Sequence, residues 1–409
     1  MKHMLVLARG NAHGFFDLAG RSVLGDIPCR LTVYTNDINA PAFAQSGEHV
    51  RVERVRWSDT AQIEQRVAAL HAADPLHAIG VLDEKVMDLA AALRQRLGIN
   101  GLHTQEAARF RDKPTMKRLL GVAGVRVPEF VDAGDRPAVL RLLHRHGRIV
   151  VKPNDGLGSR EVSFIDGPVE LQDWYAAHAD AQGFEAEEFV DGVLYHVNAV
   201  VHRGVPLLTA AAPYLPGMAN IDFASGSPFV SVMLDEDDLK RRLQAMSDRV
   251  IEVLGLVDGV THMECFVTAE GEIVFCEIAA RPGGGGIVGM IEAQYGVNFA
   301  RAALLLEAGF GERVMPPSQP APDTLAGLIG FRLPRSGFLR RVPAAIDFGD
   351  DWIRAVTIDH EPGGFIAAAA HCTDFVGSFV FVARDRGHFD ERRVELTQRF
   401  NKALEVEPV

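Results

Sequence analysis

The chain has 409 residues, 47% of them hydrophobic, and a formal net charge of −12 at pH 7. That length and composition exclude a disordered tail and leave room for two or three domains with real cores. An acidic balance without a basic stripe argues against a nucleic-acid partner and for small-molecule ligands.

The first hundred residues alternate apolar runs (Met4 to Ala8, Leu31 to Tyr34, Val50 to Val55, Ala78 to Leu82) with helical stripes such as Ile63, Val67 and Leu70. This alternation predicts a parallel α/β sheet. The opening Met1 to Arg9 has too few apolar residues for a signal sequence, and no apolar run approaches a membrane span, so a cytoplasmic location is expected. The loop Arg9 to Gly14 lies where such sheets bind ligands, but it is not a dinucleotide fingerprint. Asp83-Glu84 reads as a helix cap in preference to a substrate contact.

From Asp112 onward the pattern turns to mixed α+β. Asp112 is an N-cap with Pro114 in the first turn, which leaves Lys113 at the positive end of a helix dipole, solvated or close to an anion. Gly147 to Ile165 reads as a strand, a glycine-rich turn and a second strand. Backbone N–H groups around Gly156 and Gly158, with the Ser159 hydroxyl, can cradle phosphate, although a mobile turn without a ligand fits equally well. No helix or Gly-Lys-Ser/Thr follows, so this is not a Walker loop. Lys152 ends the Ile-Val-Val run and points under the turn.

Helices are expected at Val169 to Ala179 and Asp235 to Leu254, the acidic Asp235 to Asp238 being a helix start and not a metal site. Ala186 to Asn198 reads as a strand carrying Glu187, Glu188, Phe189 and Val190, followed by one carrying His196. This is an ordinary hairpin, or a wall for a flat base whose amino group or ribose meets a carboxylate or imidazole.

Thr261 to Arg281 predicts a β-hairpin. With Glu270-Gly271 as a two-residue turn, Glu264 stands opposite Glu277 on one face, where two carboxylates repel unless a proton or a cation intervenes. Hard oxygen ligands of this kind suit Mg²⁺ or Mn²⁺. A three-residue loop would put the carboxylates on opposite faces. Cys265 and Cys276 would face each other as a reduced packed pair. The four cysteines lack zinc or disulfide spacing. Arg281 and Gly283 to Gly286 follow the hairpin and suit an oxyanion, carboxylate or phosphoryl group. Pro316 to Asp323 reads as a linker, and a third module ends in a helix with Leu396, Phe400, Ala403 and Leu404 on one face.

Taken in order, Asp112-Lys113-Pro-Thr-Met116, Val151-Lys152-Pro-Asn with its glycine loop, Glu187-Glu-Phe-Val190, His262-Met-Glu264 and Glu277-Ile-Ala-Ala-Arg281-Pro-Gly-Gly284 resemble the ATP-grasp superfamily. The Tyr195-His196-Val197 stretch and the Glu277 to Gly284 ending look most like carboxylate-amine ligases that include L-amino-acid (dipeptide) ligases. The resemblance implies α/β plus α+β architecture: an N-terminal Rossmann-like domain (1–106), an ATP-grasp domain (107–315, its small ATP-binding part at about 113–190) and a C-terminal α+β module (324–409).

It further implies ATP held by Lys113 and Lys152, covered by the Gly156 to Arg160 loop including Gly158 and Ser159, with adenine at Glu187, Glu188, Phe189 and Val190. Glu264 and Glu277 would bind Mg²⁺ or Mn²⁺, and Arg281 would act on the substrate carboxylate and acyl phosphate. Two positions depart from the pattern. Many relatives have an acid where Leu194 stands, so that a ribose contact passes to His196 or is absent, and an asparagine metal ligand where Ala279 stands, so that one coordination position falls to water. The implied activity is ATP-dependent amide formation from a small carboxylate and an amine, with a homodimer left open. A bicarbonate-using, biotin-carboxylase-like enzyme and an ATP-binding sensor without turnover are the competing readings. Tyr214 to Phe229 and Arg9 to Gly14 are candidate walls of the acceptor pocket.

Overall fold

A computed structural model describes residues 1–215, 226–235, 237–314 and 324–409. The expected linker Pro316 to Asp323, Glu236 and most of the Tyr214 to Phe229 segment lie outside the described residues.

The four N-terminal apolar runs become parallel strands β1 (His3–Ala8), β2 (Arg30–Thr35), β3 (Val50–Arg54) and β4 (Ala78–Val81), in the order β3-β2-β1-β4. Their residues are buried on both faces along β1, as a parallel sheet covered by helices requires. Next come β5 (Phe130–Asp132), β6 (Ile149–Pro153), β7 (Ser163–Ile165) and β8 (Phe184–Glu188), an antiparallel sheet ordered β5-β8-β6-β7. The glycine loop is the connection from β6 to β7.

A second antiparallel sheet is made from β9 (Val193–His202), β10 (Val205–Pro213), β12 (Gly259–Val267) and β13 (Ile273–Ala279), ordered β10-β9-β12-β13. Between them β11 (Phe229–Val232) leaves to pair with β14 (Leu325–Phe331). With β16 (Ile353–Thr357) and β18 (Gly377–Ala383) it forms the sheet β11-β14-β18-β16, while β15 (Gly337–Arg341), β17 (Phe365–Ile366) and β19 (Glu405–Pro408) form a small one. The C-terminal sheet thus takes one strand from a segment far upstream, and one core, including Val230, Ile287, Phe331 and Phe381, runs through both.

The helix Asp238–Leu254 packs on the sheet face away from the candidate site. Asp237 caps it by accepting the Lys240 N–H, Leu243, Val250 and Leu254 are buried, and Gly255 ends it at φ +77°. The helix Lys113–Val122 starts as expected, with the Asp112 side chain accepting the Thr115 N–H.

The glutamate hairpin departs from the expected turn. Gly271 N–H donates to the Thr268 carbonyl and Thr268 N–H to that of Glu272, so the loop is the three residues Ala269 to Gly271, with Gly271 at φ +81°. Val267 therefore faces Ile273 and Cys265 faces Phe275, one residue out of the expected register. A β-bulge between Glu264 and Cys265 restores it, and Glu264 does stand opposite Glu277. The extra residue is Cys276. It does not face Cys265, and all four cysteines are free.

Candidate active site

A cavity of about 340 Å³ opens between the β5-β8-β6-β7 sheet and the β10-β9-β12-β13 sheet. Lys113, Lys152, Gly156, Gly158 and Ser159 stand on its walls, as do Glu264 and Glu277. Glu187 to Val190 line it too, and Val150, Phe164, Leu194 and Phe266 make one part apolar. That size and mixture suit a small ligand with one flat, apolar part and one strongly charged part.

At the charged part, Lys113 Nζ lies 3.0 Å from Glu277 Oε2 and donates to the Gly156 carbonyl at 2.8 Å, tethering the glycine loop. Burial pushes the Glu277 carboxyl up, yet Lys113 and then Lys152 outweigh it and hold the group down at about 2. Glu264 is buried and accepts the Tyr214 hydroxyl at 2.8 Å. Two carboxyl groups in register beside two lysines fit a divalent cation and the phosphates of a nucleotide.

Lys152 sits 2.5 Å from Glu187. Against burial, Glu187 raises the lysine's pKa well above its ordinary value, so it carries full charge. Lys117, one turn beyond Lys113 and fully buried, completes the cluster by contacting Glu187 and, at 2.6 Å, Glu185. Glu187 was expected at the adenine. Its carboxylate is instead enclosed by the two lysines, because β8 alternates and turns Glu185 and Glu187 to the same side as Lys152. Glu188 is likewise engaged, at 2.6 Å from Arg126. Phe189 and Val190 remain as cavity walls.

The glycine loop takes left-handed backbone at Gly158 (φ +61°), Ser159 (φ +62°) and Glu161 (φ +56°). Gly158 packs so closely on the C-terminal module that an added Cβ would lie 1.8 Å from His371 Nε2.

Two expected residues stand outside the cavity. His196 is fully buried and bonded to Ser231 Oγ and Asn198 Nδ2, each at 2.9 Å, so the ribose contact assigned to it does not form. It lies two residues beyond Leu194, opposite Glu264, and burial drives its pKa well below the ordinary value. Arg281 lies beside the cavity, held by Glu84 through Nε at 2.8 Å and Nη2 at 2.7 Å. In the Asp83-Glu84 pair only Asp83 caps, accepting the Lys85 N–H. Of the four glycines, Gly283 packs on Asn198 and His262, and Gly285 and Gly286 adopt positive φ ahead of the helix Ile287–Tyr295.

Sequence reasoning missed Lys117, Glu185 and Arg111, which lies 2.6 Å from Glu84, and read Glu84 as part of a cap and not as the partner of Arg281. Lys117 follows Lys113 by four on a helix whose buried face is Lys113, Met116, Lys117 and Leu120, so its spacing carried a usable signal. The Glu84 link to Arg281 spans the chain and had none.

Comparison with known proteins agrees with this geometry. The model of the ATP-grasp domain matches residues 118–297. The chain carries an ATP-grasp domain. It is similar to the L-arginine-specific L-amino acid ligase of Bacillus subtilis, 26% identical over 289 residues, 67% of this chain and 68% of that one. Its fold matches the crystal structure of an L-amino acid ligase from Bacillus licheniformis with a TM-score of 0.76 at 18% identity, covering 100% of this chain and 99% of the other. The biotin carboxylase domain of Hydrogenobacter thermophilus 2-oxoglutarate carboxylase, crystallised as a dimer with MgADP, ADP and bicarbonate, matches at 0.72 and 17%, covering 100% and 91%. Among the described residues no helix is long and apolar enough to cross a membrane.

Proposed function

We propose that this chain is a ligase that joins a small carboxylic acid, an amino acid or a related compound, to an amine through an acyl phosphate formed from ATP. The observation that carries this reading is the register pair Glu264 and Glu277 facing one cavity with Lys113 and Lys152.

In this reading ATP lies with adenine against Phe189, Val190, Leu194 and Phe266, and its phosphates meet Lys113, Lys152 and the N–H groups of the glycine loop. Glu264 and Glu277 hold Mg²⁺, which when bound neutralises charge on the phosphoryl oxygens. The substrate carboxylate oxygen attacks the γ-phosphorus, the bond to the β,γ-bridging oxygen breaks, and ADP leaves. The amine nitrogen then attacks the acyl carbon, loses a proton, and inorganic phosphate departs as the amide forms. Arg281, fixed by Glu84, orients the carboxylate and faces the oxyanion of the tetrahedral intermediate.

A phosphate-release screen over pairs of amino acids and small acids, with product masses measured, tests the reading. Amide products with stoichiometric ADP are expected, and Glu277→Gln or Lys152→Ala should abolish both. Undiminished ADP formation in either variant overturns the phosphoryl-transfer site. The fold shared with the biotin carboxylase domain supports a second reading, in which ADP release requires bicarbonate and ignores amino acids. ATP binding with no ADP in any substrate pool would point to a sensor.

A further inference from the structure

On the cavity side of the central sheet, three neighbouring strands present a grid of six side chains. His196 and Asn198 of β9 stand opposite Glu264 and His262 of β12, which stand opposite Glu277 and Ala279 of β13. Next to the carboxylate pair there are therefore two imidazoles, His196 bonded to Ser231 and Asn198, and His262, which has a methyl group that takes little room across the ladder from it.

The His262 imidazole is nine-tenths buried, with 9% exposure, and its direction is set from two sides. His262 Nδ1 lies 2.9 Å from the Asn198 side-chain carbonyl, and the amide of the same asparagine lies 2.9 Å from His196 Nδ1. Gly283 closes over this contact, where a Cβ would come within 3.0 Å of both His262 Nδ1 and Asn198 Oδ1. A carbonyl acceptor makes Nδ1 the N–H, so the neutral ring presents the Nε2 lone pair on its far edge.

That edge faces Glu264, with Nε2 3.6 Å from Oε1. The separation is too long for a hydrogen bond. Two adjacent donors each about 2.1 Å from one octahedral ion stand about 3.0 Å apart, so a small side-chain movement from the observed 3.6 Å would bring both onto one cation. A neutral imidazole held by a carbonyl on its other nitrogen is the usual form of a metal-ligating histidine. Among the described residues no three His, Cys, Asp or Glu side chains are yet gathered about one point, Glu277 being drawn to Lys113 at 3.0 Å. Phosphate binding by Lys113 would release that carboxylate to the cation.

We propose that His262 Nε2 is a ligand to the divalent cation held by Glu264 and Glu277. The inference rests on the metal reading given under Proposed function and adds to it a nitrogen donor. A nitrogen in the shell favours Mn²⁺ over Mg²⁺ relative to an all-oxygen site.

Electron spin-echo modulation of the protein loaded with Mn²⁺ and ADP reads the ligand directly. The expected result is coupling to a histidine nitrogen, shifted by ¹⁵N-histidine labelling and lost in His262→Ala. Titration should show weaker Mn²⁺ binding in that variant, with a smaller loss for Mg²⁺. Asn198→Ala keeps the ring but frees it, and should weaken Mn²⁺ about tenfold or more. A wild-type spectrum without histidine coupling, or coupling that survives in His262→Ala, overturns the proposal, and circular dichroism confirms that each variant is folded. Glu277→Gln separates the two failures. If it leaves Mn²⁺ affinity intact, the carboxylate reading fails; if it removes binding while the wild type lacks histidine coupling, only the role of His262 fails.

Discussion

Glu84 accepts both Nε and Nη2 of Arg281 on one carboxylate oxygen, while its other oxygen takes Arg111 Nη1 at 2.6 Å. One acid from the edge of the N-terminal sheet thus fixes the guanidinium that follows the glutamate hairpin. Removing it leaves two arginines facing each other in a largely buried space. Glu84→Gln should lower the turnover number for ADP formation by about ten- to a hundredfold, since small misplacements of a positioned group have effects of that size. Glu84→Ala should in addition cost about 3 to 5 kcal/mol of stability. Steady-state ADP assays with saturating ATP check the first expectation and urea unfolding the second; wild-type turnover in Glu84→Gln would exclude a positioning role.

Lys117 is a structural cation. It is fully buried between Glu185 and Glu187, and burial already pushes the Glu185 carboxyl up. Lys117→Met strands one charge too many and should destabilise the fold by about 3 to 5 kcal/mol. Adding Glu185→Gln removes the surplus charge and should recover part of that loss. Denaturation of the single and double variants decides it, and additive losses would refute the charge argument.

Gly158 couples the glycine loop to the C-terminal module. Its φ of +61° and its contact with His371 both resist a side chain. Gly158→Ala should strain the loop by about 1 to 3 kcal/mol and raise the KM for ATP by roughly five- to a hundredfold. Adding His371→Ala relieves the steric part only, so partial recovery of KM is expected, and no recovery would show that the contact does not set loop position.

Glu307 gives a pH signature away from the site. Burial pushes its carboxyl from 4.5 up to about 7, against the pull of Arg94 and the Val81 N–H. Because the folded-state value is raised, the associated stability is complete below pH 4.5 and is lost as pH rises to about 7. Glu307→Gln cannot ionise. It should match the wild type near the acid end of this window and exceed it at about pH 8 by up to about 3 kcal/mol. Unfolding curves across the range check the sign; a wild type more stable than the variant at about pH 8 means that the 2.8 Å pair with Arg94 outweighs the cost of burial.

What could be read from the sequence was whatever local periodicity encodes. The four apolar runs announced β1 to β4, the Asp112 cap and Pro114 announced the helix that carries Lys113, and the ordered motifs announced the ATP-grasp domain. Most residues expected at the site do line one cavity. His196 does not, because besides its own-strand neighbour Asn198 it bonds Ser231 of β11, a strand whose packing against β9 no local pattern reveals.

The glutamate pair shows where that boundary lies. Strand alternation with an expected two-residue turn led to two carboxylates meeting across a hairpin, yet the turn has three residues and alone would have separated them. The tertiary structure decided the matter through the bulge at Cys276, since a bulge depends on how β13 and β12 pack within the larger sheet and not on the turn they share. The same holds for Glu84 and Arg281, 197 positions apart, and for Lys117 with Glu185 and Glu187. Periodicity tells which way a side chain turns from its own element, but partners contributed by distant elements exist only once those elements are packed.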